Sequence, residues 1–296
     1  MRFSFFRGCF IPVRLPHIEK VSRVVLKDLG VELEDIDGFS CCPEPVGFHI
    51  NDRFTATVIA ARNISLAEEA GQDIITLCNG CTYVLRQVNK ELKKDAELME
   101  QVNEVLSSTD HQYRGRIEVK HFAQVLKEDI GIHRISGKVE RPLSDLTVAS
   151  HTGCHIGSPA DVMQFDDPFD PVVLDDMVSA LGGTPADFDL KTLCCGWTLT
   201  NFGDRESANK LVGAKLSAIE AASSDCINVI CPQCFYQFDT GQMLATRRLK
   251  LDIKLPVFFF LQLLALSMGY SMEDIHYKMH RVKSPRLEEK IGRLLA

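Results

Sequence analysis

Apolar positions along the chain fall into short blocks separated by longer amphipathic stretches, and the same alternation occurs twice. Residues 2–6 place Phe3 and Phe5 on one face, the period of a strand. Residues 146–150 form the matching block in the second half. Two further apolar blocks, 74–77 and 227–230, are each preceded by a helical stretch. The first of these, 54–70, stops at Gly71, a good C′ residue; the second runs to about residue 222, with Asp204 placed to cap it. Helix-compatible stretches follow at about 82–106 and 235–249, and residues 119–126 parallel 255–264. Helices are also expected over 18–29, ending at Gly30, and from Asp170-Pro171 to Gly182-Gly183, with Pro at the first helical position.

Strands alternating with helices of this length predict α/β units with parallel sheets. The expected architecture is two pseudo-symmetric α/β halves, each with a small parallel sheet. The Gly-, Pro- and charge-rich stretch 131–145 places the boundary between 1–138 and 139–296. A charged surplus in the first half, 93–110, is expected to be an exposed helical extension.

Eleven cysteines change the picture. Ten form two copies of one pattern: Cys9, Cys41-Cys42 and Cys78-Asn-Gly-Cys81, then Cys154, Cys194-Cys195 and Cys231-Pro-Gln-Cys234. In both copies 35 residues separate the adjacent pair from the CxxC. No signal peptide is evident, and the longest apolar run, 255–266, is shorter than the roughly 20 residues a membrane span needs. A cytoplasmic protein is therefore expected, and dense cysteine in a reducing compartment points to metal or redox chemistry rather than disulfides. Each cysteine follows a predicted strand or precedes a helix, where open α/β sheets place ligands and where unpaired N–H groups stabilise thiolates. Structural zinc takes four ligands, and an ordinary cubane cluster four cysteines. Five thiols per half suggest a larger, irregular cluster or a spare thiol.

The pattern resembles the cysteine-rich CCG domains, and its duplication without a ferredoxin extension resembles the B subunit of heterodisulfide reductase from methanogenic archaea. The second copy keeps the family glycine as Cys194-Cys195-Gly196, whereas the first reads Cys41-Cys42-Pro43. The resemblance implies two noncubane [4Fe–4S] clusters: one held by Cys9, Cys41, Cys42, Cys78 and Cys81, the other by Cys154, Cys194, Cys195, Cys231 and Cys234. It implies an oxidoreductase that reduces the coenzyme M–coenzyme B heterodisulfide. Its implied partners are the ferredoxin-like C subunit of that enzyme, together with the flavin-bearing A subunit. Competing readings are a CCG paralogue in lactate, succinate or sulfur-compound oxidoreduction, and a non-catalytic zinc or electron-transfer module.

Other residues carry weaker signals. Cys226 has no counterpart in the repeat and reads as a buried thiol. Trp197 either shields a cluster or packs in the core. His17, His49, His151 and His155 lie near cysteines in sequence, as candidates for proton or anion handling. Arg7, Arg14, Arg53 and Arg205 flank the motif loops and suit an anionic substrate. No GxGxxG, P-loop or HExxH motif is present, so electrons are expected from another protein. The net charge of −7, without a long basic run, argues against nucleic acid.

Overall fold

The computed structural model describes residues 1–295. It contains two four-stranded sheets, parallel throughout. The first is β1 (Arg2–Phe6), β2 (Glu32–Glu34), β3 (Ile74–Thr76) and β4 (Val119–His121), in the order β2-β1-β3-β4. The second is β5 (Thr147–His151), β6 (Thr184–Pro185), β7 (Cys226–Val229) and β8 (Val257–Phe259), in the order β6-β5-β7-β8. The register repeats too: Ile74 pairs with Ser4 and Val119, while Ile227 pairs with Ala149 and Val257. β3, β7 and β8 are buried along their whole length. Such strands read as continuous apolar runs because helices cover both sheet faces.

The helices largely follow the apolar periodicity. Arg53–Ala70 ends on Gly71 in the left-handed conformation, and Arg205–Ala221 starts on Asp204, whose carboxylate accepts from Ser207 N–H. The block 255–266 resolves into β8 and the buried helix Phe260–Ser267. Three expectations need correction. The stretch 82–106 is two helices, Asn79–Lys94 and Ala96–Ser107, because Asp95 turns extended and caps the second through Leu98 N–H. The stretch 235–249 starts earlier, at Pro232, and includes a π-helical turn at Gln237–Gly241. The helix expected from Asp170-Pro171 begins only at Val173. There Asp167 accepts from the N–H groups of Phe169 and Asp170, and Asp166 from that of Val173. These local side-chain bonds compete with the helix.

The halves exchange arms. The helix Pro16–Asp28, which follows Cys9, packs on Phe260–Ser267 of the second half. The segment after Cys154 crosses in the opposite sense. Arg86 donates to the Val162 carbonyl at 3.0 Å, Gln124 to that of Met163 at 2.9 Å and Lys127 to that of Phe165 at 2.6 Å. Phe122 and Phe259, following β4 and ending β8, meet at 5.2 Å between ring centroids. Among the described residues no helix is long and apolar enough to cross a membrane.

Candidate metal centre

In each sheet the chain leaves β1 or β5 in one direction and returns beside it in the other, so a crevice opens at the carboxyl ends of the central strands. Ligands in open α/β sheets lie at such switch points. Cys9 follows β1 and Cys154 follows β5. Cys78 and Cys231 follow β3 and β7, each extended at the N-cap of its helix, with Cys81 and Cys234 one turn inside. The pair Cys41-Cys42 lies outside regular structure and is held by Asn63, which donates to the Cys41 carbonyl and accepts from Ser40 N–H. Cys194 accepts from Gly196 N–H at 3.3 Å.

All eleven cysteines are free thiols, and ten form one continuous run. In the first half Cys9 neighbours Cys41, Cys41 neighbours Cys42, Cys42 neighbours Cys81, and Cys81 neighbours Cys78. In the second half the run is Cys154, Cys194, Cys195, Cys234 and Cys231. The two runs join at Cys78 and Cys231. Cys42, Cys78, Cys81, Cys195, Cys231 and Cys234 are buried, whereas Cys9, Cys41 and Cys154 are exposed. Each set thus has a dry floor and one open side. Thiol neighbours split their acidities: Cys41 and Cys81 pull Cys42 down to about 6, while Cys41 pushes Cys9 strongly up. In the second set Cys154, then Cys195, pulls Cys194 far down.

The sequence reading missed two glycines. Gly8 and Gly153 each precede the first cysteine of a set, with φ of +65° and +80°. A Cβ on Gly8 would lie 3.0 Å from Cys81 Sγ. One on Gly153 would lie 2.6 Å from Asn79 Nδ2 and 3.4 Å from Cys234 Sγ. A side chain there would fill the space between the thiols. Five convergent soft donors around a cradle kept clear by glycine fit an iron–sulfur cluster; a tetrahedral zinc would leave one donor over. Asn79, inside the first CxxC, was also not singled out. It donates to the Thr152 carbonyl at 2.7 Å and ties the motif to the other half.

An opening above the first set is lined by Arg7, Cys9, Cys41, Glu44 and, from the second half, Pro232 and Gln233. Phe10, Trp197 and Tyr236 pack edge to face across the halves at 5.1–5.5 Å. Trp197 therefore does sit against the cysteine loops. Of the four arginines, Arg7 lines the opening with Glu19 and Asp35 each 3.8 Å from its guanidinium, and Arg53 is bound to Glu91; Arg14 and Arg205 are on the exposed surface. His155 Nδ1 lies 3.4 Å from Cys154 Sγ, with its ring stacked on Tyr83. A ring nitrogen of His151 and the sulfurs of Cys195 and Cys234 lie within 4.8 Å of one another. His17 instead packs between Phe235 and His280. Cys226 is fully buried on β7, apart from the run.

Comparison with known proteins agrees with this geometry. The cysteine-rich domain family CCG matches residues 3–86 and 148–239. The ferredoxin/F420H2-dependent CoB-CoM heterodisulfide reductase B subunit of Methanosarcina acetivorans is 35% identical over 100% of this chain and 98% of its own length. The 8-methylmenaquinol:fumarate reductase membrane anchor subunit of Wolinella succinogenes is 28% identical over 96% of this chain and 98% of its own. In fold, a hypothetical protein from Helicobacter pylori superposes with a TM-score of 0.76 at 15% identity; the match covers 96% of this chain and 52% of that one. These relatives support an iron–sulfur oxidoreductase that works within an assembly of several subunits. With two CCG domains and this identity over its whole length, the chain belongs to the heterodisulfide reductase B subunit family.

Proposed function

We propose that the chain is the catalytic subunit of a heterodisulfide reductase of methanogenic energy metabolism, converting the coenzyme M–coenzyme B heterodisulfide to its two thiols. The observation that carries this reading is the meeting of two five-thiol sets at Cys78 and Cys231. A disulfide has two equivalent reacting atoms, and two adjoining centres match that symmetry. Cys9, Cys41, Cys42, Cys78 and Cys81 would hold one noncubane [4Fe–4S] cluster in 1–138. Cys154, Cys194, Cys195, Cys231 and Cys234 would hold the other in 139–296. Bound there, the clusters supply the one-electron steps and the soft Lewis acidity that disulfide cleavage needs.

The chain's own residues do the rest. The six buried thiols fix the cofactors, and the exposed sides at Cys9 and Cys154 leave room for substrate. Phe10, Trp197 and Tyr236 exclude water between the halves. Arg7 offers a guanidinium to an anionic end of the substrate at the first opening. His155, with Nδ1 beside Cys154, is placed to pass a proton on the open side of the second set. Reduction consumes two electrons and two protons, and the sequence has no nucleotide or flavin motif. The ferredoxin-like C subunit would therefore deliver the electrons, with the flavin-bearing A subunit further upstream.

The test is anaerobic purification with metal analysis, then heterodisulfide reduction driven by reduced methyl viologen. About eight irons per chain and turnover are expected; zinc in place of iron would overturn the reading. A second reading follows from the full-length match to the fumarate reductase subunit. It makes the chain a relay to another acceptor, and an iron-loaded protein that leaves the heterodisulfide intact would favour it.

A further inference from the structure

The two thiol sets differ in one respect that the cysteine pattern does not show. Lys215, on the helix Arg205–Ala221, is completely buried. Its Nζ donates to His151 Nδ1 at 2.9 Å and to the Lys191 carbonyl at 3.0 Å. An ammonium has only donors, so His151 Nδ1 must accept, and the proton of the neutral ring then sits on Nε2. His151 is itself buried at the end of β5, and its Nε2 has no hydrogen-bond partner among the described residues. This ring is the one that lies against Cys195 and Cys234. Burial pulls the Lys215 pKa down to about 8, opposed by Cys234, Cys195, Cys194 and Cys154.

The first half has no such arrangement. The residue that ends β1, in the place of His151, is Phe6. At the repeat offset that superposes the two adjacent-cysteine pairs, the residue in the place of Lys215 is Arg62, which turns outward to the Gly38 carbonyl. An internal cation without a carboxylate partner is costly to bury. It persists where anionic groups compensate, and the second thiol set is the nearby anionic group.

We propose that Lys215, acting through His151, is a positioning residue that makes the second centre the more easily reduced of the two. The reasoning is electrostatic. Adding an electron makes a thiolate-ligated centre more negative, and a buried cation stabilises that state more than the oxidised one. The His151 ring, with a nitrogen within 4.8 Å of the Cys195 and Cys234 sulfurs, is the polar group that stands between this cation and the thiols. Electrons entering the chain then collect in the second centre, and the pair works asymmetrically despite its repeated ligands.

This rests on the reading that both sets hold iron–sulfur clusters, and the experiment separates the two claims. Iron per chain is measured first in the natural protein, and its absence would defeat the cluster reading itself. Anaerobic redox titration with electron paramagnetic resonance then follows both centres in the natural protein and in Lys215→Met, Lys215→Arg and Arg62→Met. Lys215→Met should lower one midpoint by at least tenfold in the one-electron equilibrium, about 59 mV, and leave the other in place. Lys215→Arg, which keeps the charge, should recover most of the shift, and Arg62→Met should move neither midpoint. Unchanged midpoints in Lys215→Met with full iron, or equal movement of both, would overturn the proposal. If Lys215→Met loses the second centre's iron, His151→Gln carries the test: a lowered second midpoint supports the proposal, and an unchanged one refutes it.

Discussion

Cys78 and Cys231, the first cysteines of the two CxxC turns, are neighbours across the boundary between the halves, each influencing the other's acidity. The contact makes the junction and the site one place. Asn79 bridges to Thr152 beside it, and a Cβ on Gly80 would lie 4.0 Å from Gln233 of the opposite turn. What holds the halves together therefore also holds the two thiol sets in register.

Asn79 is the first test of that coupling. Asn79→Leu removes the donor to the Thr152 carbonyl and leaves a buried acceptor unpaired, at a cost of about 1–3 kcal/mol. Urea unfolding followed by circular dichroism should show a lower midpoint. An unchanged midpoint would mean that the bond contributes nothing to the junction.

Gly153→Ala should act on the metal site rather than on stability alone. Its Cβ would press on Asn79 and approach Cys234, in a backbone conformation that disfavours side chains. Iron should be lost from the second set and kept in the first. Gly71→Ala is the control: it has the same left-handed strain, about 1–3 kcal/mol, with open space around it. It should lower stability and leave the iron content intact.

Much of this was legible in the sequence because the cysteine spacing and the strand periods repeat together. Two five-cysteine sets, strands before Cys9, Cys78, Cys154 and Cys231, and the buried Cys226 could all be read directly. Helix starts were less legible. Asp95 splits one helix and Asp166 and Asp167 delay another through side-chain bonds to local N–H groups, which apolar periodicity does not register. Lys215 was invisible for a related reason: a lysine on a helix reads as a solvated residue until its neighbours are known. Gly8 and Gly153 do leave a trace, as a Gly-Cys step after the first strand of each half.

Cys226 separates ligand from bystander. Cys226→Ala removes a fully buried thiol with no place in the run, so iron content should be unchanged while stability falls. Cys195→Ser should lose iron from the second set. Iron analysis of both variants checks this, and loss of iron from Cys226→Ala alone would overturn the assignment of the sets.

His17 and His280 predict the response to acid. Burial, with smaller effects from His276 and His17 respectively, lowers their pKa values to about 4 and about 3. Their rings face each other at 5.8 Å. The unfolded chain takes up these protons near pH 6.5 and the folded chain only well below. Their contribution is thus complete above about pH 6.5 and is lost as pH falls towards 4. Neither nitrogen of His17 has a partner among the described residues, so His17→Leu should flatten this decline. Unfolding midpoints measured from pH 7.5 to 5 would show it; parallel curves for the two proteins would exclude His17 as a source.

In the proposed reaction both thiol sets act on one substrate. Heterodisulfide reduction by reduced methyl viologen, measured alongside iron content in Cys42→Ser and Cys195→Ser, tests it most directly. Each variant should keep the iron of the other set and lose turnover. A Cys42→Ser protein that has lost the first set's iron but still cleaves the heterodisulfide at the normal rate would show that the second set acts alone.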